Sequence, residues 1–332
     1  MRRTVLLLIV IAFTARAEQK NVKLLTGLTD LELQRTMNMM RASLGTHCDH
    51  CHVIDKEWDF ASDAKPAKQR ARDMIKMVMD VNRTAFEGRA EISCFTCHRG
   101  AVRPVSLATL PQIPPPFPTP QRKDLQLPEA RTLVEKYGKA LGDATRLSSR
   151  TLKGDVTRGP MTVPIEVHAK GARVRQITHL PKGALTQTFD GTTYWWRDHE
   201  GIEVMPPRGQ QEFRAVADAF APVLPSEIGA DARTTGKDKI GDRDVWVVSS
   251  GWKKFYFDAE SGLLLRSVLV TPTAIGRYAQ QTDYEDYRDA GGTRFPYRTR
   301  FSLVDPWSGS TREYKSVELG VPIDDAIFAK PQ

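Results

Sequence analysis

Two hydrophobic periodicities divide the chain. Between residues 18 and about 103, apolar positions recur every three to four residues, the spacing of an amphipathic helix. Leu33, Met37, Met40 and Leu44 fall at i, i+4, i+7 and i+11 and share one helix face, from which Met39 points away. Thr29-Asp-Leu-Glu32 has the form of a capping box and predicts where this helix starts; Gly45 predicts where it ends. A second helix is predicted from near Pro66, a residue well tolerated in a first turn, to about Phe86. Its apolar face carries Met74, Met77, Val78 and Val81, with Met79 largely opposite. From about residue 150 to 319 the period drops to two, giving roughly ten strand-like runs bounded by turn residues. Examples are PIEVHAKG, ARVRQITHL, RDVWVVSS, KKFYFDAE and GLLLRSVLV. Asp190-Gly191, Ser261-Gly262, Gly291-Gly292 and Ser308-Gly309 are the turn signals between them. This hairpin spacing predicts antiparallel pairing in one strongly curved sheet. Helical patterns at residues 129–147 and about 209–220 flank or interrupt the strands, and the second is expected to plug the concave side.

The two regimes meet at a proline run: Pro104, Pro111, Pro114, Pro115, Pro116, Pro118, Pro120 and Pro128. Such a segment cannot be helix or central strand and reads as an extended, semi-rigid connector. The expected architecture is α+β in two domains. A small helical domain spans 18–103, a linker 104–127, and a half-barrel β domain with covering helices 128–332. Residues 1–17 read as a secretory signal: basic Arg2 and Arg3, an apolar Val5–Phe13 core, and the small-x-small pattern Ala15-Arg16-Ala17. The apolar core is too short for an ordinary transmembrane helix, so no membrane span is expected after cleavage. The expected location is exported and periplasmic, soluble or peripherally bound to a membrane. The formal net charge of +8 falls to +5 once Arg2, Arg3 and Arg16 leave. That mild balance suits an acidic partner, and no basic run with interleaved aromatics suggests nucleic acid.

All four cysteines lie in two Cys-x-x-Cys-His units, Cys48-Asp-His-Cys51-His52 and Cys94-Phe-Thr-Cys97-His98. This is the attachment pattern of c-type haem. Two thiols on one turn reach the two vinyl groups, and the next residue supplies the proximal imidazole. The expected cofactors are two haem c groups, with Cys48, Cys51, Cys94 and Cys97 as covalent anchors and His52 and His98 as proximal iron ligands. A zinc site built from the same thiols is the competing reading. A sixth, distal ligand closes an iron for electron transfer; a vacancy opens it to small ligands. The Leu33–Leu44 face leads straight into Cys48, so Met37 or Met40 is the natural distal ligand of the first haem. Met77 or Met74 is the candidate for the second. His47 and His50 read as exposed or hydrogen-bonded loop residues. His168, His179 and His199 lack metal-ligand spacing.

Residues 31 to 106 resemble the cytochrome subunit of purple bacterial photosynthetic reaction centres, specifically its second haem pair. Ser43-Leu44-Gly45, Met77-Val78, Asp80-x-Asn82 and CFTCHRGAVRP from Cys94 to Pro104 carry the resemblance. It implies that Met37, rather than Met40, ligates the first haem. The family has four haems, and its last haem takes a distal His from the earlier pair. That half has no counterpart here, so the resemblance supplies no sixth ligand for the second haem, and it does not imply photosynthesis.

The strand-rich half resembles the periplasmic lipoprotein-carrier family, whose fold is a half-open β-barrel covered by helices. The matching features are Tyr137-Gly138-x-Ala140-Leu141-Gly142, Asp190-Gly191-Thr192-x-Tyr194-Trp195-Trp196, the Phe255–Leu263 hairpin and Val321-Pro322-Ile323-Asp324. The resemblance implies an apolar ligand inside the barrel. Trp195 and Trp196 themselves read as packing aromatics of a strand.

No catalytic triad, P-loop or dinucleotide fingerprint is present in the sequence. The leading expectation is a non-enzymatic electron carrier working between redox partner proteins, its β domain docking a partner or binding an apolar ligand. The alternatives are a haem oxidoreductase or peroxidase acting at a five-coordinate second haem, and a haem-equipped module that binds lipid or protein.

Overall fold

The computed structural model describes residues 19–54, 58–104, 126–198, 201–204, 217, 220–304 and 309–330. The signal segment, most of the proline connector, most of the 209–220 helix and His199 lie outside the described residues.

Helix α1 spans Asp30–Leu44. Thr29 and Glu32 form the expected reciprocal capping box, and Gly45 closes the helix in the left-handed region at φ +62°. A two-residue hairpin, β1 (Val53–Ile54) and β2 (Trp58–Asp59), follows the first Cys-x-x-Cys-His unit. Helix α2 spans Pro66–Ala85 and α3 spans Cys94–His98. The buried stripe of α2 is Ile75, Val78 and Asn82, whereas Met74 and Met77 are exposed. The stripe is thus centred one position on from the sequence expectation, because a polar residue, Asn82, belongs to the buried side.

Helix α4 (Ala130–Leu141) opens the second half. Thirteen strands then form one antiparallel sheet. They are β3 (Ser149–Arg158), β4 (Met161–Lys170), β5 (Arg173–Leu180), β6 (Gly183–Phe189), β7 (Tyr194–Arg197) and β8 (Ile202–Val204), then β9 (Arg233–Ile240) and β10 (Arg243–Ser250). The last five are β11 (Lys253–Asp258), β12 (Leu264–Thr273), β13 (Gly276–Asp289), β14 (Arg294–Leu303) and β15 (Ser310–Leu319). Their order is β8-β7-β6-β5-β4-β3-β15-β14-β13-β12-β11-β10-β9, two meanders joined where β15 pairs with β3. Nearly every connection is a tight hairpin, which is why the spacing of turn residues was so regular.

The sheet curves around α4. Leu133, Tyr137 and Leu141 of the helix pack with Leu152, Ile165, Val167, Phe255, Phe257, Leu264 and Phe295 of the strands in one core. Tyr137 donates its hydroxyl to the Val223 carbonyl at 2.7 Å, which satisfies the one polar atom this ring brings into the core. Trp195 is buried on the opposite face, where its indole N–H donates to the Phe328 carbonyl at 3.1 Å, so it is a packing aromatic as expected.

A second, smaller core joins the helical segment to the sheet. Leu25, Met39, Ile75, Val78 and Cys94 pack with Ile275 and Tyr278 from the β12–β13 hairpin. Ile275 is fully buried, and the Met39 sulfur accepts from the Thr273 hydroxyl at 3.6 Å. Met39 therefore points away from the Met37–Met40 face and into the sheet. This contact tests how far the halves depend on one another. Ile275→Ala is expected to cost about 2–4 kcal/mol of stability in denaturant titration, because the site is closed on all sides. Residues 128–332 alone are expected to fold as a colourless β-rich piece by circular dichroism, since the core around α4 lies wholly within them. A piece without a cooperative transition would show that the smaller core is indispensable.

Candidate haem site

The first cysteine unit forms one tight turn. Cys48–His50 is a 3₁₀ turn; the Cys51 and His52 amides donate to the Cys48 carbonyl at 3.3 and 3.0 Å. Two thiols three residues apart on a single turn project to the same side. The Lys65 ammonium donates to the Asp49 carbonyl and grips the turn from the start of α2. The β1–β2 hairpin then folds the chain back, so that Phe60 stands edge-on to His52 with ring centroids 5.2 Å apart. The Phe60 carbonyl lies 3.2 Å from His52 Nδ1.

The loop holding Phe60 is strapped from several directions. Lys68 donates to three successive carbonyls, Phe60, Ala61 and Ser62, at 2.8, 2.9 and 2.8 Å. Asp63 pairs with Arg72 at 2.8 Å, Lys23 at 3.3 Å and Lys68 at 3.4 Å, and accepts from Asn21 at 2.8 Å. The Arg72 hydrogen bond is the main reason the Asp63 carboxyl sits well below the usual carboxylate range. Burial, reinforced by the Lys68 cation, holds the His52 imidazole below its ordinary value, so at neutral pH it keeps a ring nitrogen lone pair.

The second unit is helix α3. The Ser93 amide donates to the Thr96 hydroxyl at 3.0 Å at its start, and the buried Asn82 fixes the approach. Asn82 donates to the Ile92 carbonyl at 2.8 Å and accepts from the Glu91 and Ile92 amides at 3.2 and 3.0 Å. After His98 the chain reverses through left-handed Arg99 and Gly100, and the Ala101 carbonyl comes to 3.0 Å from His98 Nδ1.

The two units meet through the main chain. The Gly100 amide donates to the Ser43 carbonyl at 2.8 Å. A Cβ on Gly45 would stand 2.0 Å from the Gly100 oxygen, so this approach requires glycine. Gly45 lies three positions before Cys48 and Gly100 two after His98. Chain geometry therefore keeps the Cα atoms of Cys48 and His98 within about 25 Å even at full extension.

These residues fit covalent haem. Each unit offers two thiols on one turn and one imidazole whose Nδ1 sits on a backbone carbonyl. That is the arrangement that fixes a ligating ring and leaves Nε2 for the metal. Phe60 and Phe95 leave exposed apolar surface at the units, and Met74 and Met77 are exposed on α2. Among the described residues, no three His, Cys, Asp or Glu side chains are grouped as a bare zinc ion would require. Met37 and Met40 are half-buried and pack on the cluster that contains Cys94, whereas Met74 and Met77 lie outside that cluster. His47 is exposed and His50 half-buried. His168 and His179 both stand beside Glu166 on neighbouring strands, His179 at 3.4 Å and His168 at 4.0 Å. Lys68, Asn82 and the Gly45–Gly100 approach carry much of this geometry. Sequence reasoning singled out Asn82 only as part of a family pattern and Gly45 as a helix stop and as part of that pattern, and nothing in the sequence marked Lys68.

Residues 12–117 match the family described as the photosynthetic reaction centre cytochrome C subunit. Cytochrome c-554 of Chloroflexus aurantiacus is 33% identical over 87 residues, which is 24% of this chain and 20% of that protein. The chain therefore spans about a fifth of that relative. Among solved structures, a LolA superfamily protein from Nitrosomonas europaea aligns over 61% of this chain and 98% of its own, with 14% identity and a TM-score of 0.41. A DUF1329 family protein from Desulfovibrio piger aligns over 60% and 95%, with 12% identity and a TM-score of 0.38. No helix among the described residues is long and apolar enough to cross a membrane. The segment carrying both Cys-x-x-Cys-His units is thus similar to the reaction-centre cytochrome c subunit family.

Proposed function

We propose that the chain is an exported dihaem cytochrome c that relays electrons between partner proteins and is not itself an enzyme. One observation carries the reading: both histidines that end the cysteine units, His52 and His98, hold Nδ1 on a backbone carbonyl, in segments joined through Ser43 and Gly100. That is what two proximal ligands in one relay need. Bound haem supplies a one-electron ferric–ferrous couple.

Cys48 and Cys51 hold the first haem by thioethers, Cys94 and Cys97 the second. His52 and His98 would be the proximal ligands of the two irons. Met37 would be the distal ligand of the first iron: it lies on the half-buried face of α1, which ends just before Cys48. Met77 or Met74 serves the second. The curved sheet, residues 128–332 beyond the proline linker, docks a redox partner or holds an apolar ligand.

A second reading places an oxidoreductase at a five-coordinate second haem. It is favoured by the position of Met74 and Met77, which are exposed and outside the cluster around Cys94. Ferrous protein that binds carbon monoxide at one haem of two would select it; a spectrum indifferent to carbon monoxide supports the carrier.

Expression with a c-type maturation system is expected to yield two covalent haems per chain by pyridine haemochrome assay and intact mass. Absence of covalent haem would sink the proposal. Met37→Ala is expected to abolish the Met–iron absorption of the first haem and lower its potential, because thioether sulfur favours the ferrous state. If that absorption and both potentials survive, Met37 is not the ligand and Met40 is the next to test.

A further inference from the structure

The two proximal histidines are held by the same device, yet their carbonyls differ. The Ala101 oxygen accepts from His98 Nδ1 at 3.0 Å. The Phe60 oxygen stands 3.2 Å from His52 Nδ1 and also accepts from the Lys68 ammonium at 2.8 Å. Lys68 is not a loose surface lysine. Its side chain is only 11% exposed, and it donates to three consecutive carbonyls while pairing with Asp63 at 3.4 Å. It enters from the first turns of α2, and from there Lys65 grips the Asp49 carbonyl inside the first attachment turn.

The geometry points to Lys68 as the positioning residue that sets the first haem apart from the second, acting through the Phe60 carbonyl on His52. This rests on the dihaem reading above. Two effects act with one sign. A carbonyl already bound by an ammonium is a poorer acceptor for the imidazole N–H, so His52 takes on less imidazolate character and donates less charge to the iron. The fixed cation itself also disfavours the ferric state through a partly desolvated path. Both raise the potential of the first haem. Lys68 also fixes the loop, and the loop fixes the tilt of the His52 ring through Phe60, whose ring stands at 76° to the imidazole.

The test uses the full-length, matured protein. Lys68→Met is expected to lower one of the two midpoint potentials in spectroelectrochemistry and to leave the other unchanged. The ¹⁵N shifts of the His52 ring should move while those of His98 stay fixed. Lys68→Arg, which keeps the charge and the donors, should restore the wild-type potential. Haem content should remain two per chain throughout. Fewer than two haems in the wild type would defeat the dihaem reading itself. Two haems with both potentials unmoved, or lowered equally, would overturn the role of Lys68 and leave that reading intact. If Lys68→Met does not mature, Lys68→Gln removes the charge while keeping an N–H donor, and the same one-haem decrease is expected. The wild type gives a check that needs no variant. In the ferrous protein the His52 Nδ1–H, sharing its acceptor, should resonate upfield of the His98 Nδ1–H, and the reverse order would overturn the inference.

Discussion

The main-chain contact between Ser43 and Gly100 is the constraint on which the candidate site depends. An amide and a carbonyl 2.8 Å apart tie the end of α1 to the turn after His98, and nothing larger than hydrogen fits on Gly45 beside them. A Cβ at 2.0 Å from a backbone oxygen cannot be absorbed by a rotamer change, and Gly45 is also left-handed. The consequence runs outward in both directions. Cys48 follows Gly45 by three residues and His98 precedes Gly100 by two, so the two attachment units are a fixed pair rather than beads on a flexible string.

The same helix that makes this junction is anchored on its other side by the sheet. Met39 inserts beside Thr273 and Ile275, while Met37 and Met40 are left on a half-buried face. The composition boundary at the proline run is therefore not a packing boundary. Magnitudes decide how much this matters. Burying Ile275 and Tyr278 contributes about 1.5–3 kcal/mol each, against a typical domain stability of about 5–15 kcal/mol. That is enough to hold the helical segment on the hairpin. Among the described residues the larger core, built on Tyr137 of α4 and on Phe255, Phe257 and Phe295 of the strands, shares no buried residue with the smaller one.

What could be read in the sequence was local. The capping box at Thr29, the stop at Gly45 and the proline start of α2 are interactions over three or four residues, and the structure has each of them. The strand runs RDVWVVSS and KKFYFD fall in β10 and β11 because hairpins announce both ends with turn residues. Thirteen strands replaced roughly ten, since short pieces such as Ile202–Val204 carry too few residues to show a period. The site was legible as chemistry and illegible as geometry. Cys-x-x-Cys-His names its candidate ligands by adjacency. The bond from Lys68 to a carbonyl eight residues earlier, and the three bonds of Asn82 to a loop nine and ten residues later, depend on how a hairpin or a loop folds back onto α2. The seam at Ile275 joins positions more than two hundred apart, and no pattern within either half encodes it.

For the relay proposed above, the groups around each haem should hardly move when the charge changes, because every dipole that must reorient adds to the barrier. The two loops beside the cysteine units are held in different ways. Around His52 the loop is strapped by ion pairs and by an ammonium shared among three carbonyls, a network that fixes charge as well as shape. Around His98 the approach is fixed by the neutral amide of Asn82 and by main-chain bonds, which fix shape and bring no net charge. Two copies of one attachment pattern are thus followed or preceded by loops held in different ways, and side chains of α2, Lys68 and Asn82, reach both loops.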